Sequence, residues 1–383
     1  MIIDVDTHWE ATSYASGEHP LEPWRDQLPD SFSMLAFGIA GDLLRALPES
    51  RRPPAPELLP GLVAMAKQRG GPVILHPLHD SSSGERVAWM DSIGIDHCLV
   101  NPGGYWQQLE FIGSDRALGT QRCNSYLAEQ LSDHADRLHA VAVIDFDDLD
   151  AAVAELERAR ALGARAFFLY TVNGRPGGGM SPGHPAWDRV WAAATSLGMV
   201  AVIHVGNTSA DFDGWAEIGW DLDGGAGVAG LVRLANTQRI HAAQNLLSAL
   251  LYGGVFARHP NATVLLEEMR VGWVPWFVQM LDRQSQSSAA LGDWPWKLSG
   301  GEMLRRNVRM TPLPGFGDSD GLEVLAQLPE MCVFSSDFPH QEGNAEPIEL
   351  YRPGLDALDE ALRQSFMGEN IHECYARMGD PLP

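Results

Sequence analysis

Short apolar segments recur along the chain and alternate with segments whose apolar residues follow a helical period. Their centres fall near positions 2, 98, 141, 167, 201, 265, 309 and 333. Nearly every segment is apolar on both faces, which is typical of parallel strands covered by helices. Eight such units predict an α/β fold, a closed (β/α)8 TIM barrel, whose active site lies at the carboxyl ends of the strands. An open doubly wound sheet is the alternative, but no glycine fingerprint follows the first strand.

Three long irregular stretches interrupt this alternation, at residues 10–77, 206–238 and 284–303, after strands one, five and six. We expect residues 1–383 to form a single barrel domain in which residues 11–77 are a cap or loop insertion. This insertion is expected to cover the barrel mouth and, together with Trp9, to contribute Trp24 or nearby apolar residues to a substrate pocket. A surface excursion or a dimer arm is the alternative.

The charge balance narrows the choice of partners. The chain has 50 acidic and 27 basic residues and a formal net charge of −23, which argues against nucleic acid or an anionic membrane. No apolar segment is long enough to span a bilayer, and the start of the chain lacks the features of a signal peptide. The cysteines have no paired spacing; they are Cys98, Cys123, Cys332 and Cys374. We expect a cytoplasmic homodimer that acts on a small-molecule substrate.

Polar residues stand where several predicted strands end. They are Asp6 and His8 on the first strand, His204 on the fifth, Glu268 on the sixth and Asp337 on the eighth. Strand alternation also places Asp4 on the same side as Asp6 and His8. Taken singly, a histidine ending an apolar strand is more often a hydrogen-bonded core residue than a ligand, and an aspartate before Phe-Pro can be a turn residue. Strand ends of a barrel converge, however, so their joint placement predicts one divalent ion with an open position for water, bound by Asp6, His8, His204 and Asp337.

These residues lie in motifs that resemble the amidohydrolase superfamily, in the branch typified by aminocarboxymuconate semialdehyde decarboxylase and the resorcylate-type decarboxylases. The resemblance covers most of the chain. The motifs are Ile3-Asp4-Val5-Asp6-Thr7-His8, Val202-Ile203-His204, Gly254-Val255-Phe256-Ala257-Arg258-His259-Pro260, Val264-Leu265-Leu266-Glu267-Glu268, Gly272-Trp273-Val274-Pro275 and Ser335-Ser336-Asp337-Phe338-Pro339-His340. The resemblance implies that Asp6 and His8 are the strand-one ligand pair, His204 the strand-five ligand and Asp337 the strand-eight carboxylate.

Two positions depart from the pattern of that branch. The usual strand-one pair is two histidines, and here the first is Asp6, which hardens the site toward zinc, our first choice of metal, or manganese. The strand-six position that usually holds a catalytic histidine is Glu268. Neighbouring Glu267 points the other way in a regular strand, so either glutamate is a candidate to face the site.

The leading interpretation is a metal-dependent hydrolase that attacks a small organic substrate with a metal-activated water, from which Asp337 or Glu268 removes a proton. The alternative is nonoxidative decarboxylation of a small aromatic or unsaturated carboxylic acid. A decarboxylase needs a cation beside the substrate carboxylate, and the candidates are Arg270, Arg305 and Arg309. His340 is expected near the pocket as a substrate-contacting or supporting group, with a capping role as the alternative. A barrel that binds a ligand without catalysis is the third interpretation.

Overall fold

The computed structural model describes residues 1–9, 82–102, 116–169, 171–172, 175–176, 179–205, 225–312, 321–340 and 346–383. The predicted cap at residues 11–77, with Trp24, lies outside the described residues. Within the described residues, no helix combines the length and the apolar character that crossing a membrane requires.

Parallel strands form the centre of the fold. The strands are β1 (Ile3–His8), β2 (His97–Asn101), β3 (Leu138–Ala142), β4 (Ala166–Phe168), β5 (Thr171–Val172), β6 (Arg175–Pro176), β7 (Val200–His204), β8 (Val264–Glu267) and β9 (Val308–Met310). The main sheet has the order β1-β2-β3-β4-β7-β8-β9, and every pairing in it is parallel. Strands β5 and β6 form a separate antiparallel hairpin.

Residues 331–338 close this sheet into a barrel. A parallel bridge joins Cys332 to Met310 on β9, and a second joins Phe338 to Thr7 on β1. Backbone hydrogen bonds support both edges: the Val333 amide donates to Met310 at 3.0 Å, and the His8 amide donates to Phe338 at 2.7 Å. This segment is therefore the eighth strand, and the predicted (β/α)8 barrel is confirmed.

Helices follow the strands and cover the outside of the sheet. They are α1 (Ser83–Ile93), α2 (Arg116–Leu131), α3 (Leu149–Ala161), α4 (Asp188–Ser196), α5 (Gly225–Tyr252), α6 (Val255–Arg258), α7 (Val274–Gln286), α8 (Ser288–Leu291), α9 (Gly300–Asn307), α10 (Gly321–Gln327), α11 (Pro347–Leu355), α12 (Glu360–Gln364) and α13 (Asn370–Arg377). Local signals fix the ends of some of them. Helix α1, for example, begins at a capping box between Ser82 and Glu85 and ends at Gly94, whose φ of 83° suits glycine.

Helix α5 begins within the stretch that the sequence predicts to be irregular, residues 206–238. Its first turns contain Gly225, Gly227 and Gly230, and glycine disfavours helix in the absence of tertiary contacts. The third irregular stretch, residues 284–303, is partly helical, because it holds the end of α7, all of α8 and the start of α9.

The apolar core has two layers. Alternate strand residues such as Val5, Leu99, Val202 and Leu265 form one cluster inside the barrel. Helix α13 adds Ile371, Cys374 and Tyr375 to this cluster at the amino-terminal end of the barrel. A larger cluster joins the other face of the strands to the helices. Because side chains alternate along a strand, the next inward position after Leu99 is Asn101, after Val202 is His204 and after Leu265 is Glu267.

Strand β1 departs from simple alternation. Ile3 and Val5 belong to the inner cluster, so Asp4 points away from it. The Asp4 Oδ1 accepts a hydrogen bond from the Ser336 amide at 2.9 Å. The pairing register of β1 with β2 shifts between Asp4 and Thr7, and this irregularity turns the last residues of the strand inward. The expectation that Asp4 shares a side with Asp6 and His8 is therefore wrong.

Candidate metal centre

The structure brings the sequence-predicted site residues together at the carboxyl ends of the strands. Asp6 and His8 lie at the end of β1, His204 ends β7 and Glu268 follows β8. Asp337 lies near the end of the closing segment 331–338, and His340 follows that segment. All six residues are buried.

Two of the carboxylates are directed toward the site by residues with a left-handed backbone conformation. Glu268 has a φ of 55° and Asp337 a φ of 53°, values that residues other than glycine seldom adopt. Glu267 follows the alternation of β8 into the barrel, and the left-handed turn at Glu268 brings the next side chain to the same site. Strain of this kind is typically found at functional sites, where the surrounding structure maintains it. The sequence left open whether Glu267 or Glu268 faces the site, and in the structure both do.

Nitrogen and oxygen atoms converge around His8. The His8 Nε2 lies 3.2 Å from Asp6 Oδ1, 3.2 Å from Asp337 Oδ1 and 3.9 Å from Glu268 Oε1. The His204 Nε2 lies 3.6 Å from Asp6 Oδ1 and 3.3 Å from Glu268 Oε1. Two ligands that each lie ~2.1 Å from an ion are about 3 to 4 Å from each other, so this spacing suits one ion.

Two overlapping groups of potential ligands result. In each group the ligand atoms lie within 4.8 Å of one another; the groups are Asp6, His8, His204 and Glu268, and His8, Glu268, Asp337 and His340. Carboxylate oxygen and imidazole nitrogen suit a borderline or hard divalent ion. The donor set therefore fits a metal, and it includes Glu268 as well as the predicted ligands.

Hydrogen bonds orient the histidines. The His204 Nδ1 donates to the Val205 carbonyl oxygen at 2.6 Å, which directs Nε2 toward Asp6 and Glu268. The His340 Nδ1 lies 2.9 Å from Asp337 Oδ1, and the His340 ring is 3.9 Å from the His8 ring. Fixing one ring nitrogen in this way is how proteins select the nitrogen that binds a metal.

The electrostatics of the site favour ionised carboxylates. Burial alone would raise the pKa of Glu268, but the charge and hydrogen bond of His204 outweigh it and lower that pKa to about 2. Burial likewise opposes ionisation of Asp6, yet the neighbouring His204 and His8 imidazoles hold its pKa below the usual range. Burial would lower the pKa of His204, but the neighbouring Glu268 and Asp6 carboxylates raise it well above the usual range. Burial and the charge of His340 lower the pKa of His8. The centre therefore attracts cations.

Two further buried residues join the site: Asn101, which the sequence pattern did not single out, and Glu267, which it offered as the alternative to Glu268. The Asn101 Nδ2 donates to Asp6 Oδ1 at 2.9 Å and to Glu267 Oε2 at 3.0 Å. Burial raises the pKa of Glu267 well above its usual range, and the charge of Asp6 adds to this effect, so the protonated form is favoured. A polar residue at the end of an apolar strand was the available signal for Asn101.

Arg86 on α1 supports the end of β1 from behind. Its Nη2 donates to the His8 carbonyl oxygen at 2.7 Å, and its guanidinium carbon lies 4.7 Å from the centre of the Phe338 ring. Trp9, predicted to line the substrate pocket, is buried, and the centre of its ring lies 5.6 Å from the same guanidinium carbon. A single arginine on a helix has no sequence pattern that would indicate this role.

Two of the arginines expected beside a substrate carboxylate are engaged elsewhere. Arg305 pairs with Asp282 and Glu330. Arg309 is buried, donates to the Asn370 carbonyl and pairs with Glu373 on α13. That expectation is therefore wrong for both residues, whereas Arg270 lies two residues beyond Glu268, is half-buried and has a φ of 56°.

Comparisons with known proteins agree with this fold. A family model described as amidohydrolase matches residues 3–377. The γ-resorcylate decarboxylase of Rhizobium sp. (strain MTP-10005) is 25% identical over 231 residues, and the match spans 58% of this chain and 65% of that protein. A crystal structure of an amidohydrolase from Mycobacterium avium subsp. paratuberculosis K-10 has a TM-score of 0.64 and 21% identity and covers 98% of both chains. Another similar structure is the 5-carboxyvanillate decarboxylase of Novosphingobium aromaticivorans DSM 12444, with bound manganese and 3-methoxy-4-hydroxy-5-nitrobenzoic acid. Its TM-score is 0.63 at 17% identity, and the match covers 98% of this chain and 97% of that chain.

Removing one histidine of this centre should remove the metal. We expect His204→Ala, purified without chelator, to lose most of its divalent ion, because one of few protein ligands is absent. Metal analysis by mass spectrometry measures this. The matched control is His139→Ala, which removes a buried histidine paired with His97 away from the centre. Unchanged metal content in His204→Ala would contradict the assignment.

Proposed function

This chain belongs to the amidohydrolase family, and from that premise we propose that it is a metal-dependent decarboxylase of a small aromatic or unsaturated carboxylic acid. The observation that carries the proposal is the convergence of carboxylates and imidazoles at the barrel mouth. Support also comes from the curated relative, the γ-resorcylate decarboxylase, which is 25% identical over the matched part.

We propose that one divalent ion is held by Asp6, His8, His204 and Asp337. Imidazole and carboxylate ligands suit zinc, the metal predicted from the sequence, and manganese, which the Novosphingobium decarboxylase contains. When bound, such an ion supplies positive charge that stabilises negative charge on the substrate. Metal analysis of the protein purified without chelator distinguishes the two ions.

Decarboxylation breaks the bond between the carboxyl carbon and the neighbouring carbon. The electron pair stays on that neighbouring carbon, which must then take a proton as carbon dioxide leaves. We assign to Asp337 the donation of this proton to the carbon. His340, whose Nδ1 lies 2.9 Å from Asp337 Oδ1, then returns a proton to Asp337. We assign Glu268 the role of accepting a proton from a substrate hydroxyl or from water, because its carboxylate lies at the centre, 3.3 Å from His204 Nε2.

Hydrolysis is the second candidate function. The observation that favours it is the position of the Glu268 carboxylate, 3.3 Å from His204 Nε2 at the centre, which suits a group that accepts a proton from water. The same centre would serve both reactions, since a fold does not determine its chemistry. The homodimer and the cytoplasmic location stay predictions from the sequence.

An assay of released carbon dioxide separates these functions. We expect the metal-loaded protein to release carbon dioxide from one or more members of a panel of hydroxybenzoates and unsaturated carboxylic acids. Asp337→Asn, which lacks the proton-carrying carboxylate, should be inactive on the same panel. Cleavage of esters, amides or lactones without carbon dioxide release would favour hydrolysis instead. Failure in both panels, with the metal bound, would favour a barrel that binds without catalysis.

The role of Glu268 is tested by Glu268→Gln, which keeps the shape of the side chain but cannot take a proton. We expect turnover to fall by ~10²–10⁴-fold with the metal retained, since general acid and base assistance is typically of that size. Glu267→Gln is the comparison variant, because Glu267 is the other glutamate that faces the site. Near-normal turnover in Glu268→Gln would rule out the role, loss of the ion would make Glu268 a ligand, and a loss confined to Glu267→Gln would move the role to that neighbour.

A further inference from the structure

We propose that Asn101 and Glu267 are positioning residues that set the orientation of the Asp6 carboxylate for the ion. This inference rests on the proposed function, because it concerns the same metal centre. It adds two residues that are not themselves among the proposed ligands.

The two residues meet across the inside of the barrel. Asn101 ends β2 opposite His8 on β1, and Glu267 ends β8 opposite His204 on β7. Strands β2 and β8 are the second and sixth in the order around the closed barrel, and so lie on opposite sides of it. The 3.0 Å hydrogen bond from Asn101 to Glu267 therefore spans the interior. Both side chains have no exposed surface.

An asparagine amide suits this position. Its Nδ2 carries two N–H groups, which here are directed at Asp6 and Glu267. The accepting atom of Asp6 is Oδ1, the same oxygen that lies 3.2 Å from His8 and 3.6 Å from His204. A carboxylate oxygen has more than one lone pair, so the bond from Asn101 fixes the rotation of the carboxylate while Oδ1 still faces the imidazoles. Glu267 in turn holds the Asn101 amide in the rotation that this requires.

A purely structural role would have a different signature. Every buried polar group needs a partner, and a lost bond of this kind destabilises the fold wherever it occurs. Asn124 provides the comparison within the same chain. It is buried, and its Nδ2 also donates to a glutamate, Glu155, at 2.6 Å and to the Val143 carbonyl at 2.8 Å. Replacing Asn101 or Asn124 by leucine removes the amide group and leaves a side chain of similar volume.

The experiment compares Asn101→Leu with Asn124→Leu in the full chain. The affinity for Mn²⁺ is measured by competition with a chelator. The symmetry of the ligands around the bound Mn²⁺ is measured by electron paramagnetic resonance. We expect Asn101→Leu to lose ~10–100-fold in affinity with an altered spectrum, the usual effect of removing a group that orients a metal ligand. Asn124→Leu should keep the wild-type affinity and spectrum, even where both variants unfold at a lower temperature.

Substitutions at Glu267 keep the inference testable where Asn101→Leu does not fold. Glu267→Leu removes the oxygen that accepts the hydrogen bond from Asn101. It should weaken Mn²⁺ binding by about tenfold, because the Asn101 amide is then no longer held in the rotation that orients Asp6. Glu267→Gln keeps a side-chain oxygen that accepts from Asn101 and should restore the wild-type affinity and spectrum.

Two results would overturn the inference: wild-type affinity and spectrum in the leucine variants at Asn101 and Glu267, or an equal loss in Asn124→Leu. A wild-type protein that binds no divalent ion would overturn the proposed function itself. If the wild-type protein binds the ion and the variants bind it with the same affinity, only the positioning role is overturned.

Discussion

The burial of several acidic side chains at one point is the constraint on which the rest of the centre depends. Asp6, Glu268 and Asp337 are each at most 4% exposed and approach the same imidazole, that of His8. Burial penalises each charge, and like charges oppose one another's ionisation. In the protein alone, the pKa of His204 is raised, and the positive charge that this favours offsets part of the buried negative charge. A divalent cation would supply more, and this is the physical reason to assign a metal to the barrel mouth.

Barrel closure and the centre depend on each other. The ligand-bearing strand ends include β1, β7 and the closing segment 331–338, so the full set forms only when that segment pairs with β1. The hydrogen bond from the His8 amide to Phe338 and the bond from the Asp337 amide to the Asp6 carbonyl, at 2.9 Å, couple the two directly. An ion that binds the folded barrel and not the unfolded chain would therefore also stabilise closure.

The sequence predicted the frame of this molecule better than the details of its site. Eight apolar segments identified the strands, and a histidine ending an apolar run placed His204 correctly, because strand ends in a barrel converge by topology. The side of β1 that Asp4 faces was not predictable, because it depends on a register shift that no residue pattern signals. The inward direction of both Glu267 and Glu268 was not predictable either, because it depends on the left-handed backbone at Glu268. Asn101 and Arg86 act through contacts across the fold, which only closure creates.

A crystal structure of the protein loaded with Mn²⁺, with anomalous scattering data, would show directly whether the strand ends hold one ion. We expect an anomalous peak at the barrel mouth, within bonding distance of Asp6, His8, His204 and Asp337. A peak elsewhere, or a fully ordered barrel mouth without a peak at saturating Mn²⁺, would contradict this expectation.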